Sequence, residues 1–250
     1  MKVRIFRGFL NIIIIASLLP MVNTCGVTPL LTGANVWPER ITPNADGDTD
    51  VAVINYRLSR NALVSIYFVD EKGQAHYFRK EQRRSIGEHT VYFGGVVQDR
   101  VLPDGRYTWV IEATDDYGKT ERAQGTLEIA EADTNPPQLL NFTVYPEEFT
   151  PNQDGLDDRV TISYYLTKKA ETHVYLVGPD GRRYPLVEKE RDVKPGEPGM
   201  HIYDYEGGVD QRAEPPPDGT YFVVAEARDL AGNRSVVTKT LVIKEGGVPR

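Results

Sequence analysis

Apolar side chains recur at every second position in several stretches of the chain. The rows are Ala52, Ile54, Tyr56 and Leu58; Tyr107, Trp109, Ile111 and Ala113; Val160, Ile162, Tyr164 and Leu166; and Tyr221, Val223, Ala225 and Ala227. Successive residues of a β-strand face opposite ways, so this alternation predicts strands with one buried and one wet face. Glycine-containing turn signals punctuate them: Glu71-Lys72-Gly73, Pro103-Asp104-Gly105, Pro179-Asp180-Gly181 and Ala231-Gly232-Asn233. No stretch sustains a 3.6-residue apolar period, so the mature chain is expected to be nearly all β. The one long apolar run, Phe9 to Val22, follows Lys2, Arg4 and Arg7 at the N-terminus. A basic start followed by an apolar run shorter than the roughly 20 residues needed to cross a bilayer predicts a secretory signal over residues 1–24.

A longer pattern organises these strands. Trp37-Pro38-Glu39-Arg40-Ile41-Thr42-Pro43-Asn44-Ala45-Asp46-Gly47 recurs as Tyr145-Pro146-Glu147-Glu148-Phe149-Thr150-Pro151-Asn152-Gln153-Asp154-Gly155, and the same offset aligns Ala52 to Leu58 with Val160 to Leu166 and Gly73 with Gly181. A slightly larger offset then aligns Pro103-Asp104-Gly105-Arg106-Tyr107 with Pro217-Asp218-Gly219-Thr220-Tyr221, and Asp115 to Gly118 with Asp229 to Gly232. Self-similarity at this spacing predicts two copies of one unit, over residues 30–130 and 138–244. Between them, residues 131–137 end in Asn135-Pro136-Pro137, and adjacent prolines make this a semi-rigid linker. Each copy has a Thr-Pro-Asn-x-Asp-Gly-x-x-Asp opening, a strand ending Tyr-x-Leu, a glycine turn, an aromatic-x-Gly element (Tyr92-Phe93-Gly94 and Tyr205-Glu206-Gly207) and Pro-Asp-Gly-x-Tyr. That order resembles the Ig-like domain first associated with the flagellar hook-capping protein FlgD and found in secreted bacterial proteins. The aromatic-x-Gly element stands where that family usually has Trp-Asp-Gly. The resemblance implies an all-β fold of two tandem immunoglobulin-like antiparallel β-sandwiches. It does not imply a hook cap, because the family's hook-binding N-terminal region has no counterpart here.

The sole cysteine, Cys25, follows the apolar run in Val22-Asn23-Thr24-Cys25-Gly26. This resembles the lipobox of bacterial lipoproteins, which implies acylation at Cys25 and a membrane-anchored, extracytoplasmic protein. The tether from Gly26 to Leu30 reaches no more than about 18 Å, which would put the first repeat near the bilayer and assign partner binding to the distal repeat. With one cysteine there is no disulfide framework, so each unit must be held by its apolar core. The formal net charge is −7, and loss of residues 1–24 would remove three basic and no acidic residues, taking it to −10. A surface of that sign disfavours nucleic acid, and the basic run Arg79-Lys80 with Arg83-Arg84 is broken by Glu81.

Groups able to do chemistry are few. Ser59, Ser65, Ser85, Ser163 and Ser235 lie in no Gly-x-Ser-x-Gly elbow, and His76, His89, His173 and His201 show no His-Glu-x-x-His spacing. The pairs Asp115-Asp116 and Asp157-Asp158 read as solvated turn residues with ordinary acidity. No catalytic residue is assigned, and no enzyme is expected. Two readings stay open for Asn44, Asp46, Asp48 and Asp50 and for Asn152, Asp154, Asp157 and Asp158. Oxygen ligands at two-residue spacing can wrap Ca²⁺, the one cofactor the pattern admits, whereas Asn and Asp can equally bond their own backbone and nucleate a turn. The expected role is a non-catalytic interaction or scaffold protein whose partner is an envelope or extracellular protein or a glycan. The alternatives are an accessory subunit of a secreted hydrolase, or a carbohydrate-binding module with an aromatic platform drawn from Tyr77, Phe78, Tyr203 and Tyr205, side chains that more often pack across strands.

Overall fold

The computed structural model describes residues 28–188, 193–208 and 215–246. The signal segment and Cys25 therefore lie outside the described residues. The chain is all β and folds into two tandem sandwiches. The strands of the first are β1 (Leu31–Trp37), β2 (Arg40–Ile41), β3 (Ala52–Leu58), β4 (Ala62–Val69), β5 (Ala75–Arg84), β6 (Gly87–Phe93), β7 (Val96–Val97), β8 (Arg100–Val101), β9 (Gly105–Asp115) and β10 (Thr120–Ile129). The second contains β11 (Leu139–Tyr145), β12 (Glu148–Phe149), β13 (Val160–Leu166), β14 (Glu171–Val177), β15 (Arg183–Pro185), β16 (Gly199–Tyr205), β17 (Gly219–Arg228) and β18 (Arg234–Ile243).

In the first sandwich a three-stranded sheet β1-β3-β6 faces a five-stranded sheet β2-β10-β9-β4-β5, and β11-β13-β16 faces β12-β18-β17-β14-β15 in the second. Pairing is antiparallel except where β2 runs parallel to β10 and β12 to β18. The repeated rows on β3 and β13 are the inward faces: Ala52, Ile54, Tyr56, Leu58, Val160, Ile162, Tyr164 and Leu166 are all buried. Each fully buried Leu, Ile or Phe in these cores contributes on the order of 1.5–3 kcal/mol.

The Pro-Asp-Gly-x-Tyr motif has a physical basis in both copies. The Tyr107 hydroxyl donates to the Pro103 carbonyl at 2.8 Å, as Tyr221 does to Pro217 at 2.7 Å. The motif's Asp caps the segment leaving the last strand: Asp104 accepts from the Ala132 amide at 2.8 Å and Asp218 from the Gly246 amide at 2.7 Å. Thus the loop entering β9 or β17 is tied to the chain leaving β10 or β18.

Candidate functional site

The two Asp-rich loops have nearly the same geometry. Asp50 accepts from the amides of Asn44 (3.1 Å), Ala45 (2.9 Å) and Gly47 (2.8 Å), Asn44 Oδ1 accepts from Asp46 N, and Asp46 Oδ1 from Asp48 N. In the second copy Asp158 accepts from Gln153 N and Gly155 N at 2.6 Å each, Asn152 from Asp154 N, and Asp154 from Leu156 N. Gly47 at φ 93° and Gly155 at φ 91° occupy the left-handed region that favours glycine. The bonds that shape these loops come from their own backbone, as the turn reading requires. Asp48 and Asp157 contribute no side-chain oxygen to them. Among the described residues no group of three His, Cys, Asp or Glu side chains is arranged to hold a metal ion.

One sequence expectation is corrected, and one alternative is left without its platform. Asp115 is not a solvated turn residue: its side chain is 2% exposed, and it accepts from Arg60 Nε and Nη2 at 2.7 Å each and from the amides of Tyr117 and Lys119. Burial raises the Asp115 carboxyl, but the Arg60 and amide bonds outweigh it and hold the group below the usual carboxylate range. The aromatic platform of Tyr77, Phe78, Tyr203 and Tyr205 is not formed. Tyr203 lies buried beside Tyr164, Tyr205 packs on Phe149, Phe78 stands edge-on to Phe93, and Tyr77 leans on Tyr67. Tyr203 and Tyr205 sit two apart on β16, so alternation turns both inward together.

The histidines fall into an order that their spacing conceals. His89 stacks on Tyr56 with centroids 5.0 Å apart, and His201 stacks on Tyr164 at 5.2 Å, at equivalent places in the two sandwiches. Each bonds the carbonyl four residues earlier, Ser85 at 2.8 Å and Glu197 at 2.7 Å. The buried His201 also meets Glu188 at 2.5 Å. These rings brace β6 and β16.

The densest polar constellation lies between the sandwiches, and its members are contributed by segments more than a hundred residues apart. The β7–β8 hairpin of the first sandwich meets the β17–β18 turn of the second. Asn233, 0% exposed, is the centre. Its Oδ1 accepts from Val101 N at 2.9 Å, while its Nδ2 donates to the Asp133 carbonyl at 2.8 Å and to Asp229 at 3.1 Å. Arg234 N donates to the Asp99 carbonyl at 3.0 Å, and the Asp99 carboxylate pairs with Arg228 at 2.7 Å and Arg234 at 3.3 Å. Burial raises the Asp99 carboxyl, yet the two guanidinium groups outweigh that and hold it below the usual range. The contact is close: a Cβ added at Gly232 would stand 2.7 Å from Cγ2 of the Val96 side chain.

The linker is pinned as well. Asp133 N donates to the Pro43 carbonyl at 3.1 Å, and Lys168 bonds the carboxylates of Asp133 and Asp229 and the Asn135 carbonyl. Burial would lower the Lys168 ammonium, but the two carboxylates outweigh it and raise its pKa. Besides its two prolines, the linker carries side-chain hydrogen bonds to both sandwiches, from Asp104 in the first and from Lys168 and Asn233 in the second. Beside this seam, Pro43, Ala45, Val51, Gly94, Leu230 and Ala231 line a recess of ≈ 280 Å³.

No family model and no curated protein matches the chain. Solved structures of low similarity include a tetra-tandem repeat from the extending region of a large adhesion protein, with 14% identity, a TM-score of 0.29, and coverage of 86% of this chain and 50% of that one. A Ca²⁺-stabilised adhesin with which an Antarctic bacterium reaches out and binds ice has 14% identity, a TM-score of 0.30, and coverage of 86% and 48%. A two-domain fibronectin type-III segment of chicken tenascin has 10% identity, a TM-score of 0.26, and coverage of 85% and 98%. The chain therefore spans about half the length of the two adhesin segments. These likenesses extend to the class of fold alone, which the sheets themselves establish.

Proposed function

We propose that this chain is a non-catalytic interaction and scaffold protein of the extracytoplasmic space, in which two sandwiches are held end to end as one stiff unit. The observation that carries the reading is the seam around Asn233, where charge-assisted and backbone bonds join the β7–β8 hairpin, the linker and the β17–β18 turn. A flexible tether between independent modules would have no use for a fully buried asparagine bonded to both sides. Two of the buried charges are likewise engaged in structure: Asp115 with Arg60 and Asp229 with Lys168. Secretion and acylation at Cys25 complete the proposal, with an extracellular protein or glycan as partner. Small-angle scattering of the mature protein should fit a single extended two-lobed particle, and mass spectrometry of the native N-terminus should show an acylated Cys25. A scattering curve that requires an ensemble of interdomain angles would sink the scaffold reading. An unmodified N-terminus would remove the anchor alone.

A further inference from the structure

The outer face of β1, β3 and β6 carries two rows that the packing of the core does not use. Pairing places Trp37, Val53 and Tyr92 side by side across the three strands, and two residues along it places Asn35, Asn55 and Thr90. Trp37 is 71% exposed and Tyr92 69%. They stand on strands two apart, so their backbones are separated by about 10 Å with Val53 between them. In the polar row Asn55 donates to Asn35 Oδ1 at 3.4 Å and accepts from the Thr90 hydroxyl at 2.8 Å, which fixes the central amide. Beyond that row Arg57 and Glu88 pair with each other at 3.7 Å, so the face has no net charge. At the other end, Val51 and Gly94 continue the face into the ≈ 280 Å³ recess, which Asp50 also lines, its carboxylate bonded to its own loop's amides, and whose far wall is Leu230 and Ala231 of the second sandwich.

A single exposed aromatic residue needs no explanation. Two in register, with a fixed amide and hydroxyl row on one side and an interdomain recess on the other, form a platform. We propose that this platform binds a neutral saccharide chain, its sugar rings laid on Trp37 and Tyr92, its hydroxyls bonded to Asn35, Asn55 and Thr90, and one end entering the recess.

The chemistry selects this occupant. A pyranose presents an apolar C–H face beside a dense edge of hydroxyls, matching an aromatic row beside an amide row. A net charge of −7 repels polyanions and anionic lipid, and the face offers them no unpaired cation. A stable protein interface needs roughly 800 Å² on each partner with a wide apolar centre, more than one row of three side chains supplies. The second sandwich lacks the pair: its equivalent row is Tyr145, Thr161 and Asp204, with a carboxylate in place of the second ring. The inference rests on the scaffold reading for its recess, and it places a ligand on the first sandwich rather than the distal one.

The test uses the mature chain and soluble hexasaccharides of β-1,4-linked glucose, β-1,4-linked N-acetylglucosamine and mannose. Heparin fragments and phosphatidylglycerol vesicles serve as the competing classes. Of the two tryptophans, Trp109 is buried, so ligand-dependent emission changes report on Trp37. Saturable binding of at least one neutral hexasaccharide is expected, with a blue shift. Trp37→Ala, Tyr92→Ala and Asn55→Ala should each weaken it about tenfold or more with unchanged circular dichroism, while Tyr145→Ala leaves it intact. No binding to any of the three sugars, binding indifferent to Trp37 and Tyr92, or a preference for heparin or vesicles overturns the inference. Failure with an intact seam removes only the saccharide site, whereas a wild-type seam found loose removes the scaffold reading and the recess end of the site with it, Trp37-dependent binding then supporting the aromatic row alone.

Discussion

Replacing Asn233 with Ala removes three side-chain hydrogen bonds from a site with no access to water. At about 1 kcal/mol per bond the total loss is about 3 kcal/mol. The bond to Asp229 lies within the second sandwich, while those to Val101 N and the Asp133 carbonyl join it to the first sandwich and the linker. Docking therefore weakens by about 2 kcal/mol, which lowers its equilibrium constant roughly 30-fold. The internal share, about 1 kcal/mol, should lower the melting temperature of the second sandwich by roughly 4–8 °C. Nitroxide labels at Tyr117→Cys and Leu156→Cys, both exposed loop positions, in a Cys25→Ser background would report the distance between the sandwiches. The parent chain should give one narrow distance distribution, and Asn233→Ala should add a broad component. An unchanged distribution, or a parent distribution already broad, would refute the reasoning that side-chain bonds at the seam set the interdomain geometry.

Acid should loosen the same seam. The docked pKa of Asp99 is depressed, so its pairs with Arg228 and Arg234 contribute fully above the undocked value of about 3.9 and are lost as pH falls through the docked one. The nitroxide distribution should broaden below about pH 4, with a modest effect because the pairs are partly solvated; no change down to pH 3 would argue against it. Alkali should act on the second sandwich, because burial pushes Tyr221 up to about 12 and raises Tyr203 and Tyr205 still further. A raised folded pKa gives stability that is full below the unfolded value of 10 and lost as pH climbs toward the folded one. Phenolate absorbance and circular dichroism should therefore show cooperative unfolding of this half above pH 10, and gradual titration without unfolding would contradict the burial. Asp50→Ala should destabilise the first sandwich by about 1–3 kcal/mol, since three backbone amides lose their acceptor. Calorimetric titration with millimolar Ca²⁺ addresses the other reading of these loops, and heat that vanishes in Asp50→Ala and Asp158→Ala chains would establish a cation site the backbone bonding does not require.

Much of the architecture was legible in local pattern. Alternation on β3, β9, β13 and β17 marks which side chains face the core, because the two-residue period of a strand is a property of its own backbone. The two Pro-Asp-Gly-x-Tyr motifs likewise mark loops closed by the tyrosine hydroxyl on a carbonyl four residues back, a bond that sequence spacing alone allows. Alternation could also have placed Tyr203 and Tyr205 inward and Trp37 and Tyr92 outward, had it been applied to the sheet β1-β3-β6 and its counterpart. What required the tertiary structure was every contact whose partners are remote in the chain. Asp115 reads as a turn residue until Arg60, 55 positions away, closes over it. His89 and His201 read as scattered until equivalent tyrosines stack on them. Asn233 looks like one more turn asparagine, yet its partner Val101 is 132 positions away. Periodicity encodes the faces of single strands; it carries no information about which remote segment will supply a buried group's second hydrogen bond, and that is decided when the sandwiches close and dock.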